Sequence, residues 1–117
     1  MICDQDSSDL FYKYILGVRV LRYTGVKASE EGFVIFNGTT SDYPVATYYN
    51  LPNNELTVDA LLLTPGPYTL QFTDTGGDGW SMNSAVVLLK GEDIIFDGTL
   101  ASGQGKHVNI DIPYSVC

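Results

Sequence analysis

The stretch Pro67-Tyr68-Thr69-Leu70-Gln71-Phe72-Thr73-Asp74 carries the clearest structural signal in the chain. Its apolar residues Tyr68, Leu70 and Phe72 alternate with threonine and glutamine at a period of two. This period is typical of a β-strand with one buried face and one face in water. The stretch therefore predicts a strand at the surface of a hydrophobic core.

Seven further segments, separated by glycine, proline, asparagine and aspartate, show the same short β-branched and aromatic character. They are Leu10 to Tyr23, with a kink or bulge at Gly17, and Gly32 to Phe36, Val45 to Tyr49, Glu55 to Ala60, Ala85 to Lys90, Asp93 to Phe96 and Lys106 to Ile112. In Glu55 to Ala60, the apolar Leu56, Val58 and Ala60 point opposite to Thr57 and Asp59. This is the same alternation as in Pro67 to Asp74, and it predicts that the apolar residues form the buried face. A helical turn is the alternative there, but Pro52 and Pro65 leave little room for one.

Eight short strands without a long helical stripe predict an all-β fold. We expect an antiparallel two-sheet sandwich of jelly-roll type. The 117 residues form one domain, 1–117, with an acidic N-terminal extension at 1–9. The net charge of −8 and the absence of a basic cluster argue against nucleic acid as a partner. No apolar run is long enough to insert into a membrane.

Two cysteines lie near the ends of the chain, Cys3 and Cys117. A disulfide between them would close nearly the whole sequence and stabilise the fold by about 4–5 kcal/mol. Two free thiols, or pairing with neighbouring modules, are the alternatives. Asn37-Gly38-Thr39 is a glycosylation sequon in a predicted turn. The disulfide and the sequon favour an extracellular location or a cell surface. The N-terminus lacks the basic and apolar segments of a secretory signal peptide, so the alternatives are a cytosolic protein and a mature segment without its signal.

The segment from Asp74 to Asn83 places two aspartates and three glycines within six residues, Asp74 to Gly79. Asp74 and Asp78 suit direct ligation of Ca²⁺, and glycines such as Gly76 let backbone carbonyls approach a hard ion. Further oxygens would come from among Asn83, Asp42, Glu30 and Glu31. The alternative is a turn in which Asp74 and Asp78 bond their own loop amides.

Trp80 is the single tryptophan and follows the acidic loop directly. An exposed indole there would stack on a sugar ring, with Tyr48 and Tyr49, next to Tyr43, as a second aromatic cluster. The alternative is a tryptophan that closes the open end of the sandwich.

The loop and its flanks resemble a known family of extracellular modules. The stretch Leu63-Thr64-Pro65-Gly66-Pro67-Tyr68-Thr69-Leu70, then Asp74 and Gly77-Asp78-Gly79-Trp80, is similar to the family's "PG-x-YTL-x-x-x-D-S-x-GDGW" hallmark. The resemblance covers residues 30 to 112, with Thr75, Gly76 and Ser81 as departures. It implies a small CUB-like β-sandwich that occurs in repeated surface and secreted proteins of protists, algae and bacteria.

Catalysis has little support in the sequence. The one histidine, His107, alternates with Val108 and Ile110 and is predicted to face solvent. The favoured function is a non-catalytic extracellular module for binding, cell adhesion or assembly, stabilised by calcium, with a glycan or a protein surface as partner. The alternatives are a carbohydrate-binding module that uses Trp80 and tyrosines, and a structural subunit of an extracellular filament or shell.

Overall fold

The computed structural model describes residues 18–113 of the chain. Within them the chain forms eight strands and one 3-10 turn, Ala28–Glu30. The strands are β1 (Val18–Tyr23), β2 (Glu31–Asn37), β3 (Pro44–Tyr48), β4 (Leu56–Leu61), β5 (Gly66–Asp74), β6 (Ala85–Lys90), β7 (Asp93–Gly98) and β8 (Gly105–Ile112). Each of the eight predicted strands has a counterpart, so the all-β prediction is confirmed. The predicted start of the first strand, residues 10–17 with the bulge at Gly17, lies outside the described residues.

The strands form two four-stranded sheets. Sheet A has the order β4-β1-β6-β7, and sheet B has the order β3-β2-β5-β8. Every neighbouring pair of strands is antiparallel. Only the β2–β3 and β6–β7 connections stay within one sheet among the described strands, and the others carry the chain from one sheet to the other. The prediction of an antiparallel two-sheet sandwich is confirmed.

The core lies between the inner faces of the two sheets. Sheet A contributes Val18, Val20, Val86 and Leu88, and sheet B contributes Phe33, Ile35, Leu70 and Phe72. The rings of Phe33 and Phe72 meet edge to face with centroids 5.1 Å apart, an arrangement that aromatic quadrupoles favour. The apolar residues of β5 point inward as the alternation predicted, because burying them removes large apolar surfaces from water.

Strand β4 alternates as predicted, but the orientation of its two faces is reversed. Leu56 and Val58 keep 47% and 58% of their surface exposed. Asp59 instead lies on the side of β4 that faces sheet B, exposed at the rim, and its carboxylate accepts a hydrogen bond from the hydroxyl of Tyr48 at 2.9 Å. The prediction that the apolar residues of β4 belong to the buried face is therefore wrong. The reason lies in the register with β1, which places Asp59 opposite the inward-facing Val20.

One end of the sandwich gathers the parts that the sequence singled out. β2 begins there, β5 ends there, and the two strands pair Glu31 with Asp74. The β5–β6 loop, residues 75–84, covers this end together with the β7–β8 loop, residues 99–104. Among residues 18–113, no helix has the length and apolar character needed to cross a membrane.

Candidate metal site at the loop end of the sandwich

The β5–β6 loop is held in place by backbone hydrogen bonds to the β7–β8 loop. Asp74 N–H donates to Gln104 O at 2.8 Å, Gly79 N–H to Gly103 O at 3.1 Å and Trp80 N–H to Leu100 O at 2.7 Å. Gly79 has a φ of 87°, in the left-handed region, and a side chain there would lie 2.7 Å from the backbone of Ala101. Glycine is therefore required at this position by both conformation and space.

Asp74 closes the start of this loop. Its side chain is buried, with 2% of the residue exposed. One carboxylate oxygen accepts the N–H of Gly76 at 3.3 Å, and the other accepts the N–H of Asp78 at 3.0 Å. This is the turn that we considered as the alternative to a metal ligand, and for Asp74 it is present. The hydrogen bonds do not use up the carboxylate, because each oxygen has a second lone pair.

Three carboxylates converge beside this turn. Glu30, Asp74 and Asp78 each offer an oxygen, and these oxygens all lie within 4.8 Å of one another. Glu30 comes from the 3-10 turn that precedes β2, so the cluster joins two distant segments of the chain. A methyl group on Gly76 would lie 2.1 Å from a carboxylate oxygen of Glu30. Glycine at position 76 thus makes the room that lets Glu30 approach the loop.

A single ammonium group faces the cluster in the described part of the chain. Lys27 Nζ lies 3.4 Å from a carboxylate oxygen of Asp78, and both side chains are more than half exposed. Hydrogen bonding with the Asp74 side chain, followed by the positive charge of Lys27, lowers the pKa of Asp78. Three carboxylates and one ammonium leave a formal charge of −2, which attracts a divalent cation.

The remaining predicted metal ligands have other positions. Asn83 adopts a φ of 74° in the tight turn that precedes β6, where Ser84 N–H donates to Ser81 O at 3.0 Å. Asp42 lies in the β2–β3 connection, at the opposite end of β2 from Glu30. Glu31 points into the protein. Of the four residues considered as additional ligands, Glu30 is the one whose carboxylate lies in the cluster.

Glu31 is the centre of a buried polar network that sequence reasoning missed. One of its carboxylate oxygens accepts from Arg22 Nη2 at 3.3 Å and from Ser84 Oγ at 2.8 Å. The other accepts from the backbone N–H of Ser81 at 2.6 Å and from its hydroxyl at 2.8 Å. The carboxylate and the guanidinium are at most 1% exposed. The network anchors the C-terminal half of the β5–β6 loop to both sheets.

Arg22 completes this network under the indole of Trp80. Its guanidinium carbon lies 3.9 Å from the ring centroid, a cation–π contact in a water-poor environment. Burial lowers the pKa of Arg22, and its Nε finds no acceptor within residues 18–113. A signal was present in the sequence, because Arg22 follows Val18 and Val20 at the period of two that marks the inward face of β1.

The structure places Trp80 in the core. Only 7% of the residue is exposed, its Nε1–H donates to Thr73 O at 2.8 Å, and its ring lies 5.0 Å from that of Phe72. The indole closes the end of the sandwich, as the alternative interpretation held. The prediction of an exposed ring that stacks on a sugar is wrong, because Arg22 and Phe72 lie against it.

The predicted tyrosine cluster is divided between the interior and the surface. Tyr48 is buried, and burial followed by its hydrogen bond to Asp59 raises the pKa of its hydroxyl. Tyr49 is half exposed and Tyr43 is largely exposed. The ring of Tyr49 covers Gly32, where a methyl group would lie 2.2 Å from it. Tyr48 is therefore not available to a ligand, whereas Tyr49 and Tyr43 are.

The other predicted sites have the following positions. Asn37 is exposed at the end of β2, and Gly38 after it has a φ of 86°, which agrees with a turn. His107 lies on the outer face of sheet B, with its Nε2 3.1 Å from Gln71 Nε2, and its predicted exposure is confirmed. Cys3, Cys117 and the acidic extension 1–9 lie outside the described residues.

Comparisons with protein-family models, with characterised proteins and with solved structures found no match for this chain.

Proposed function

We propose that the protein is a non-catalytic extracellular module for binding, adhesion or assembly whose loop end is stabilised by Ca²⁺. One observation carries the proposal. Glu30, Asp74 and Asp78 bring three carboxylate oxygens within 4.8 Å of one another from two segments of the chain. Carboxylates gathered at that spacing repel one another unless a cation lies between them.

The donor set suits calcium. Carboxylates are the hard oxygen ligands that Ca²⁺ takes, and backbone carbonyls of a glycine-rich loop and water complete its coordination in proteins. An ion at the cluster would join the 3-10 turn before β2 to the β5–β6 loop. Its expected effect is to stabilise the fold in proportion to its concentration, because the unfolded chain does not gather these carboxylates.

The ammonium group of Lys27 competes with a metal ion for the carboxylate of Asp78. Its ammonium group offsets part of the negative charge at Asp78. A divalent cation that binds all three carboxylates must displace it or push it aside. Removal of Lys27 therefore strengthens calcium binding, whereas removal of a carboxylate weakens it. Two substitutions on neighbouring side chains are thus expected to act in opposite directions.

Thermal unfolding of the full chain in CaCl₂ and in EDTA tests the proposal. We expect calcium at about 100 times its dissociation constant to raise the midpoint by roughly 8–15 °C. Asp78→Asn removes most of this shift, and Lys27→Gln moves the half-effect to a lower calcium concentration. Asp42→Asn, an exposed carboxylate at the other end of β2, keeps the response of the wild type.

Identical midpoints in calcium and EDTA would reject the site. A shift that Asp78→Asn and Asp42→Asn reduce equally would assign the effect to general screening of the net charge. Magnesium at the same concentration is a further control, because it demands a stricter octahedral geometry.

The non-catalytic assignment is supported by the position of the one histidine. His107 lies exposed on the outer face of sheet B, on the edge strand β8, where its partner across the strands is Gln71. The carbohydrate-binding alternative loses its main residue with the burial of Trp80. A protein surface is therefore the favoured partner.

A further inference from the structure

The outer face of sheet A, the side turned away from sheet B, is largely apolar, with Arg19 and Asp97 as charged residues on it. The register of the strands places Tyr23 beside Leu56, Leu21 beside Val58, and Leu89 beside Ile94 on this face. Tyr23, Leu56, Val58 and Ile94 keep 37%, 47%, 58% and 61% of their surface exposed. We call these six residues the outer apolar face. They form a continuous surface across all four strands.

The outer face of sheet B combines polar residues with buried apolar ones. Gln71 and His107 lie opposite each other there, and Thr73 and Asn109 belong to the same face by alternation. On sheet B the outward apolar residues Val34 and Phe36, which lie opposite Gln71 and Thr69, are buried, whereas large apolar residues on the outer face of sheet A stay exposed.

The outer apolar face has the size of an interface. Its exposed side chains together present on the order of 500 Å² of apolar surface, at the upper end of what the surface of a monomer shows. Two copies that packed these faces together would bury about 1,000 Å² or more in total, the size at which specific association begins. Sheets pack face to face in this way at a spacing of about 10 Å.

Charge on this face favours a second copy of the chain as the occupant. Arg19 on β1 and Asp97 on β7 point outward on either side of β6, and both are exposed. A two-fold axis near β6 would bring Arg19 of each copy towards Asp97 of the other, because an isologous interface repeats each contact twice. The charges of Arg19 and Asp97 cancel on this face. Two chains with a net charge of −8 each can therefore approach through it with the least repulsion.

We propose that the protein forms a two-fold homodimer through the outer apolar face of sheet A. The interface gives the assembly role proposed above a contact surface, and it lies on strands that do not contribute to the acidic cluster. The dimer is therefore expected both with calcium and with EDTA, so failure of the metal site and failure of the dimer are separate results.

Sedimentation velocity of the full chain, from low to high micromolar concentration, tests the dimer. We expect a monomer–dimer equilibrium in the wild type and a dissociation constant raised at least about 10-fold by Val58→Lys. Gln71→Lys, on the outer face of sheet B, adds the same charge and leaves the equilibrium unchanged. Both substitutions reduce the net negative charge, so a weaker dimer cannot result from stronger general repulsion.

A charge exchange tests the two-fold arrangement. Arg19→Asp and Asp97→Arg each weaken the dimer about 10-fold, and the double variant, which has the net charge of the wild type, restores it. Circular dichroism and the thermal midpoint show that each variant is folded.

Three results would overturn the proposal. The first is a wild-type chain that stays monomeric at every concentration. Coverage of the face by residues 1–17 of the same chain would give this result. The second is a dimer that Val58→Lys and Gln71→Lys affect equally. The third is a double charge exchange that fails to recover association while both single variants lose it.

Discussion

Two adjacent glutamates have opposite environments at the loop end of the sandwich. Glu30 ends the 3-10 turn and reaches the acidic cluster beside Gly76. Glu31 begins β2 and turns inward, where it accepts four hydrogen bonds from Arg22, Ser81 and Ser84. A buried ion pair is costly to form but far more costly to leave half-paired. Glu31 is thus a structural residue, and Glu30 is a ligand candidate.

Replacement of Glu31 is expected to destabilise the fold strongly. Glu31→Gln leaves the guanidinium of Arg22 buried without its carboxylate and is expected to lower the free energy of unfolding by about 3–5 kcal/mol. Glu30→Gln is the matched control and, in EDTA, changes it by less than about 0.5 kcal/mol. Urea unfolding followed by the fluorescence of Trp80 measures both. Equal effects of the two substitutions would contradict the structural role of the network.

At the scale of the elements, alternation has a different meaning in a central strand and in an edge strand. β6 lies between β1 and β7 and buries Val86 and Leu88 fully. β4 has a neighbour on one side only, and its burial pattern shows no fully buried residue. Its inward positions hold Thr57 and Asp59, which stay close to water at the sandwich rim, and Leu61, which packs against the core.

The two leucines that best separate these environments are Leu88 and Leu56. Leu88→Ala removes a side chain that is 1% exposed and is expected to cost about 2–5 kcal/mol of the free energy of unfolding. Leu56→Ala, at 47% exposed, is expected to cost less than about 1 kcal/mol. Chemical unfolding at a concentration where the chain is monomeric gives both values. A large loss of the free energy of unfolding in Leu56→Ala under those conditions would mean that the Leu56 side chain is buried in the core, contrary to the structure.

At the scale of the whole molecule, polar contacts join the two sheets at the rim and at the loop end. Tyr48 on the edge of sheet B donates to Asp59 on the edge of sheet A at 2.9 Å. Burial first, and then the carboxylate of Asp59, raise the pKa of Tyr48. The folded state stabilises the protonated hydroxyl of Tyr48, which donates the hydrogen bond to Asp59. Deprotonation at alkaline pH therefore breaks this hydrogen bond.

The pH dependence of stability follows from this sign. The contribution of Tyr48 is complete below the ordinary tyrosine pKa of 10.0 and is lost as the pH rises from there through the raised pKa of the folded state. Tyr48→Phe is expected to cost about 0.5–1.5 kcal/mol at neutral pH and to lose less stability than the wild type between pH 9 and pH 11. Tyr43→Phe, on an exposed ring, follows the wild-type curve. Parallel curves for all three proteins would show that Tyr48 does not carry the dependence.

The sequence by itself determined the number and position of the strands, because a period of two needs only the local alternation of side chains. It also located the glycine-rich loop, since positive φ angles and tight turns are local demands on residues such as Gly79. The exposure of His107 followed from the same alternation.

Only the tertiary structure decided which face of β4 points inward, which acid joins Asp74 and Asp78, and that Trp80 is buried. Alternation separates two sets of side chains, but the neighbouring strands decide which set is covered. Glu30 meets the loop because β2 pairs with β5, although β3 and β4 lie between them in the chain. That pairing depends on the packing of distant segments in one core, and no local pattern in the chain encodes it.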